Sequence, residues 1–471
     1  MNVESDSGRS VTRHVEARTP VTLVTGLDAD AVARTADALL VAGTTLIHHD
    51  LSEVGSGQVI RTIRAIDLDG REVSRTTEVS LEHGCVSCTL RLDLLPLLRR
   101  MHRRSGVERI VLQLHALIEP EALCWAVEHV VVAGMPGFLD APAARDVTVA
   151  ATIACVPEMD WLDAATGDMT IAEAELGDAD DDRTLAQLAV GQVAFADALV
   201  IAAADPGCRD AWASARLIEV LRRLAPGAPM VLELPQRPIR PSVVRALLGA
   251  IPAGARRGAI DGPHDPLLRR APTLTAECGV SIAVIEHDRP FHPARLHDAL
   301  DHLLDGVVCT RGRLWLATRP DEVFWLESAG GALRIGACGP WLAAMDADQR
   351  AGLDPERLAM SALRWRPQFG DRHSALMVLV HRADPAEIAA ELAAATLTDA
   401  EMADGPDLWM AYDDPFGTFH TDPCAESVGR AAGLLPIAER IDNASDAMDH
   451  IELADGRDAR GYADNEGKEH S

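Results

Sequence analysis

Short apolar segments alternate with helical segments over residues 19–234, and this alternation most constrains the fold. We predict buried strands at 20–26, 44–48, 109–114, 147–154, 198–203 and 230–234. Helices are predicted between them, among them 29–40, 184–194 and 209–224. Such strands pair in parallel, because each helical crossover packs onto a face of the sheet. The fold class of this region is therefore α/β, with a mainly parallel sheet covered on both faces.

The second half of the chain has a different order of elements. Strands at 280–285, 312–317, 323–326, 333–335 and 375–380, with helices at 293–304 and 385–395, predict a smaller α+β domain. Residues 235–275 are rich in Pro, Gly and Arg, which is typical of a connector. We divide the chain into five parts: a disordered segment 1–18, an α/β domain 19–234, a connector 235–278, an α+β domain 279–420 and an acidic, partly disordered tail 421–471.

Composition narrows the class of protein. The formal net charge is −28, which argues against direct binding to nucleic acid and suits contact with basic proteins. There is no run of eighteen apolar residues, so we expect no membrane-spanning segment. The nine cysteines show no disulfide framework, which is typical of a reducing compartment. We therefore expect a cytoplasmic protein.

The segment His83-Gly84-Cys85-Val86-Ser87-Cys88-Thr89 contains a Cys-x-x-Cys pair with a histidine two residues ahead. Two thiolates at this spacing can bind one metal ion. A helix is predicted to follow, with Thr89 as its N-cap. A redox pair or two buried structural thiols remain alternatives, because structural zinc sites usually have two such pairs.

The first glycine-ended strand stands where a phosphate-binding loop would lie. Counted from Gly26, the template G-x-x-x-x-G-K-[ST] places Ala31, Val32 and Ala33 where the second glycine, the lysine and the hydroxyl belong. Asp28 or Asp30 can cap the following helix and compete with a phosphate for its N-terminus. The sequence therefore predicts that GTP does not bind tightly in the usual geometry.

Several motifs make the chain similar to the CobW/YciC-type metallochaperone family, over about residues 19–420. Segments 289–296, 312–317 and 369–372 match the family's C-terminal domain. Segment 84–90 resembles its G-C-x-C-C-T-L metal motif, with Ser87 in place of the middle cysteine. The resemblance implies a P-loop-NTPase-like parallel-sheet domain followed by a CobW C-terminal domain. The family's guanine-reading N-K-x-D corresponds to Ala-Ala-Ala-Asp at 202–205, which implies a pseudo-GTPase.

The resemblance also extends the candidate metal site, because Asp50 falls where the family has an acidic ligand. The candidate ligands are then Cys85 and Cys88, with Asp50, His49 and His83 competing for the remaining positions. Sulfur combined with nitrogen or oxygen in fourfold coordination favours zinc. A plain structural cysteine pair remains the alternative.

Three functions follow as hypotheses. The first is a zinc-handling, metallochaperone-like protein of the zinc-shortage response, with a client metalloprotein as partner. The second, which the family resemblance implies, is a non-enzymatic adaptor that recruits a ribosome hibernation factor when zinc is limiting. The third is a residual GTPase, which would need other phosphate contacts than the missing lysine and hydroxyl. No catalytic residue is predicted.

Overall fold

The computed structural model of the chain describes residues 17–66, 69–81, 85–177, 181–204 and 207–416. His83, the start of the acidic run at 178–182 and nearly all of the predicted segments 1–18 and 421–471 lie outside these ranges. Within the described ranges, no helix is long and apolar enough to cross a bilayer.

The first domain contains a large, mostly parallel sheet. Its eight strands in the described part of the chain have the order β10-β9-β8-β1-β5-β2-β3-β4. All neighbours from β10 to β2 pair in parallel, and the hairpin β3–β4 is antiparallel at one edge. The short strands β6 and β7 pair separately. The bounds are β1 Thr19–Gly26, β2 Thr44–Asp50, β3 Gln58–Ile66, β4 Glu72–Ser80, β5 Arg109–Gln113, β6 Val131–Val132, β7 Ala141–Pro142, β8 Val147–Pro157, β9 Ala198–Ala202 and β10 Met230–Glu233.

Helices cover both faces of this sheet, as predicted. Leu23 and Ile47 pack on one face, and their neighbours Val24 and Leu46 pack on the other. Alternate strand residues point to opposite faces, so a strand that is apolar throughout must be covered twice. The helices are α1 Ala29–Asp37, α2 Val86–Thr89, α3 Leu95–His102, α4 Pro120–His129, α5 Trp161–Thr166, α6 Leu185–Ala194, α7 Ala211–Leu224 and α8 Pro241–Gly249.

Helix α8 lies in the stretch 235–278, for which no helix is predicted. Its Val244 and Leu247 are buried in the same apolar cluster as Val24 and Leu46. The Pro241 that begins the helix fits at a first helical turn, where its missing N–H is not needed. The many Pro, Gly and Arg residues of the stretch conceal this short apolar face from an analysis of the sequence pattern.

The second domain is built on an antiparallel sheet, which confirms the predicted α+β class. Its five strands among the described residues have the order β11-β15-β12-β13-β14. Val308 and Met377 of this sheet share an apolar cluster with Val190 of α6 and Leu221 of α7. The bounds are β11 Ser281–His287, α9 Pro293–Ala299, β12 Val307–Leu314, β13 Glu322–Ala329, β14 Ala332–Pro340, α10 Ala347–Ala351, α11 Pro355–Leu363, β15 Ser374–Val380, α12 Pro385–Ala395, α13 Asp399–Asp404 and α14 Pro406–Trp409.

Candidate functional site

The two cysteines lie on one helical turn. Cys85 has an extended backbone (φ −145°, ψ 156°) and is the N-cap of α2, so the helix begins three residues before the predicted cap Thr89. The backbone amide of Cys88 donates to Sγ of Cys85 at 3.3 Å. Both cysteines are half-buried and neither forms a disulfide. This turn places the backbone of Cys88 beside the sulfur of Cys85, at a sequence spacing that lets two thiolates bind one metal ion.

A π-helical stretch, Leu90–Leu94, separates α2 from α3 and directs Asp93 into the interior. Nε2 of His49 lies 2.7 Å from Oδ2 of Asp93, and Arg61 forms an ion pair with the other carboxylate oxygen. Burial by itself raises the pKa of Asp93. The hydrogen bond from His49 and the charges of His49 and Arg61 outweigh burial, so that this pKa lies below its usual value.

Asp50 is on the opposite face of β2 from His49, because successive strand residues alternate. Its Oδ1 accepts a hydrogen bond from the amide of Ser52 at 3.0 Å. Burial raises its pKa, but the bonds from Ser52 and the nearby charges of His115 and His48 bring it below the usual value. Asp50 is therefore an ionised, half-buried carboxylate.

Two histidines accompany Asp50 at the ends of β2 and β5. Nδ1 of His48 lies 3.0 Å from the carbonyl oxygen of Gln113, to which it donates. Nδ1 of His115 accepts from the amide of Leu117 at 3.3 Å. Burial lowers the pKa of His115, which keeps this imidazole neutral at neutral pH.

The structure thus brings together only part of the predicted ligand set. Cys85 and Cys88 share one turn, whereas His49 and Asp50 lie on opposite faces of β2. In the described part of the chain, no three His, Cys, Asp or Glu side chains are arranged to hold a metal ion. His83 lies outside the described residues. The set of five ligands therefore stays a prediction.

The turn after β1 is occupied by the protein itself. Oδ1 of Asp28 accepts a hydrogen bond from the amide of Ala31 at 3.0 Å and caps α1. Ala31 and Val32, which stand in place of the second glycine and the lysine, are buried in the apolar core, and Ala33 is half-buried. A Cβ on Gly26 would lie 2.5 Å from the carbonyl oxygen of Cys155, so this turn packs closely against β8.

The cation nearest to this turn along α1 is already paired. Nη2 of Arg34 lies 3.0 Å from a carboxylate oxygen of Glu233 on β10. An anion at this turn could not use the N-terminal amide that Asp28 occupies. It would also find no unpaired charge on Arg34.

Sequence reasoning missed Asp93 and Arg61. A signal was present, because Asp93 interrupts the run of leucines at 90–98 at a position that helical periodicity places among apolar residues. An acidic residue at such a position requires a buried partner. The partner itself was not visible, since His49 is 44 residues away in sequence.

Each of the two domains matches a known family model. The family model for the CobW/HypB/UreG nucleotide-binding domain matches residues 42–232, and the model for the cobalamin synthesis protein CobW C-terminal domain matches residues 280–396. "Zinc chaperone Rv0106" of Mycobacterium tuberculosis is 46% identical over 410 residues, which cover 87% of this chain and 95% of that protein.

Two further proteins are more distant. "Zinc-regulated GTPase metalloprotein activator 1" of Dictyostelium discoideum is 23% identical over 348 residues, 72% of this chain and 70% of that protein. The crystal structure of Zn(II)-bound YjiA GTPase from E. coli covers 81% of this chain and 100% of its own, with 15% identity and a TM-score of 0.34.

Proposed function

The chain belongs to the CobW family, and from this membership we propose that it is a zinc-handling protein that has lost its use of GTP. One observation carries the zinc part: Cys85 and Cys88 share a turn in which the amide of Cys88 donates to the sulfur of Cys85. Two cysteines on one such turn have the spacing at which a thiol pair binds one zinc ion. Zinc would serve as cargo or as a signal of supply.

His49 is proposed as a third ligand because of its contact with Asp93. Ligating histidines commonly donate their second ring nitrogen to a carboxylate, which orients the ring and makes it more basic. The 2.7 Å contact between Nε2 of His49 and Asp93 supplies such a carboxylate and leaves Nδ1 as the ligating atom. Asp50 and His83 compete with His49 for the two positions that the cysteines leave.

Zinc content of the purified protein tests this assignment. We expect Cys85→Ser/Cys88→Ser to lose about one zinc per chain, because two of four ligands are removed. Cys208→Ser/Cys278→Ser is the matched control, since it removes two thiols from other regions and should keep the metal. Equal zinc content in the two double variants would show that the cysteine pair is not the site.

The loss of nucleotide use is proposed from the capped turn. Asp28 occupies the N-terminus of α1, and the positions of the lysine and second glycine are core residues. The match to the nucleotide-binding family model also begins at residue 42, after this turn. We expect GTP turnover at the background rate and no change in melting temperature with magnesium and GTP. Turnover that the substitution Asp28→Ala alters would instead support the residual GTPase.

A protein partner completes the proposal. The net charge of −28 favours a basic protein surface. The partner is either a client metalloprotein that receives zinc or, in the alternative adaptor function, a ribosome hibernation factor recruited when zinc is limiting; both place the protein in the cytoplasm. Capture from zinc-starved and zinc-replete cells separates the two. A client should bind the zinc-loaded protein and be lost with Cys85→Ser/Cys88→Ser, whereas a hibernation factor should appear only from starved cells.

A further inference from the structure

A cavity of about 150 Å³ lies between the two domains, where α7, residues 254–272 and β12 meet. Among the described residues that line it, five are arginines and one is an acid: Arg223, Arg256, Arg269, Arg270, Arg311 and Asp197. The local excess of positive charge is unexpected in a chain with a net charge of −28. Such a cluster is stabilised by carboxylate partners or by an anion from solution.

Three of these arginines have carboxylate partners just outside the lining. Nη1 of Arg223 lies 2.6 Å from a carboxylate oxygen of Glu219. Arg256 and Arg269 share Asp261: Nη2 of Arg256 and Nε of Arg269 each lie 2.7 Å from its carboxylate, and Nη2 of Arg269 donates to it as well. The charges of these three guanidinium groups are therefore balanced by carboxylates of the chain itself.

The other two arginines form no ion pair with a described residue, and Nη1 of Arg270 lies 3.5 Å from the carbonyl oxygen of Gly227. Within the described residues, neither Arg270 nor Arg311 has a carboxylate within ion-pair distance. Arg311 donates one Nη2 hydrogen bond to the carbonyl oxygen of Leu267 at 2.8 Å, and its buried Nε has no partner. Nε of Arg223, whose side chain is 1% exposed, is also buried without a partner. In the part of the chain that the structure describes, the cavity wall thus holds two guanidinium groups that form no ion pair and two unused Nε donors, although the charge of Arg311 contributes to the lowered pKa of Asp261.

The guanidinium groups of Arg269 and Arg311 lie close enough to that of Arg256 to repel it. Burial lowers the pKa of Arg256, the charge of Asp261 opposes that change, and the charges of Arg269 and Arg311 lower the pKa further. Arg270 has a positive φ of 57°, which is strained for a residue with a side chain. An anion in the cavity would offset the repulsion.

We propose that this cavity binds a phosphate dianion, either inorganic phosphate or the phosphate of a small monoester, between Arg270 and Arg311. The two unpaired positive charges match the charge of a phosphate near neutral pH. A guanidinium fork binds two phosphate oxygens at once, and the tetrahedral group has oxygens for both forks. A volume of 150 Å³ equals about five waters at ~30 Å³ each, which leaves room for a small ester.

Calorimetric titration of the full chain tests the site. The probes are inorganic phosphate, glycerol 3-phosphate and citrate, applied to the wild type, Arg270→Asn, Arg311→Gln and the control Arg245→Gln. Asn tolerates the positive φ at position 270, and Arg245 is an exposed arginine of α8. We expect one phosphate site per chain, weakened at least about tenfold in the first two variants and unchanged in the control.

Each probe and each variant gives a result that supports or overturns the proposal. Tighter binding of glycerol 3-phosphate identifies a monoester as the occupant, and equal binding identifies free phosphate. Absence of saturable phosphate binding up to about 10 mM would overturn the proposal, as would wild-type affinity in both cavity variants. Citrate bound as tightly as phosphate would overturn the assignment to phosphate. If Arg311→Gln fails to fold, Arg270→Asn still decides, because Arg270 is exposed at the rim.

Discussion

Nε2 of His49 lies 2.7 Å from Oδ2 of Asp93, and the two side chains are 3% and 9% exposed. This contact joins the end of β2 to the helical segment that follows the cysteines. A buried carboxylate is stable only when it is paired and hydrogen-bonded. The protein itself therefore holds the strand end and the cysteine turn together, and zinc would bind to an arrangement that is already linked.

The substitution Asp93→Asn should lower the free energy of unfolding by about 3–5 kcal/mol. It leaves the half-buried Arg61 and the buried His49 without the carboxylate charge they contact, which is the costly way to break such a pair. Asp37→Asn is the control, because Asp37 pairs with Arg64 at the surface and should cost less than about 1 kcal/mol. Urea unfolding measures both, and equal losses would contradict the role given to Asp93.

Removal of the α1 cap should destabilise the first domain. Asp28→Ala loses the acceptor for the amide of Ala31 and should cost about 1 kcal/mol in the free energy of unfolding. Asp28→Asn keeps a capping oxygen without the charge and should stay within about 0.5 kcal/mol of the wild type. If the Asn variant loses as much stability as the Ala variant, the charge of Asp28 and not its hydrogen bond is what matters.

The second domain and the segment around His264 that packs on it should be sensitive to acid. Burial, with the charges of Arg357 and Arg313, lowers the pKa of His264 to about 3, and burial lowers that of His373 to about 4. In the unfolded chain each histidine gains a proton below pH ~6.5, whereas in the folded chain it stays neutral until pH ~4. Stability from each histidine is therefore complete above pH ~6.5 and falls as the pH drops from there, by at most about 1.4 kcal/mol per pH unit.

His264→Gln should reduce the slope of unfolding free energy against pH by up to the contribution of one histidine. The matched control is His129→Gln, because His129 is an exposed histidine of α4 in the other domain and should leave the slope unchanged. Urea unfolding at pH 6.5, 5.5 and 4.5 gives the slopes. A His264→Gln protein with the slope of the wild type would show that this histidine does not titrate as its burial implies.

Gly312 should tolerate no side chain. A Cβ there would overlap the carbonyl oxygen of Ala375 and lie 2.8 Å from Cα of Leu376, both of which are backbone atoms of the paired strand β15. Gly312→Ala should therefore lower the free energy of unfolding by about 3 kcal/mol or more. Gly336→Ala on β14 is the control, because no atom lies within 4 Å of its added Cβ. Similar melting temperatures for the two variants would contradict the close strand approach.

The alternation of apolar strands and helices was sufficient to predict the parallel sheet and its two covered faces, since each segment's pattern depends on its own neighbours in sequence. The same holds for the cap at Asp28 and for the positions Ala31 and Val32, where the required residue types are absent. Helix α8 was missed because only Val244 and Leu247 of its short length are buried.

Tertiary structure alone decided which side chains meet. His49 reaches Asp93 because the crossover from β2 returns a helix to the end of that strand, and no local pattern records this return. Arg270 and Arg311 line one cavity because the second sheet packs against α7 and the preceding segment. Periodicity involves residues a few positions apart, so the sequence alone reveals it. Burial and charge pairing depend on where distant segments lie in the folded chain.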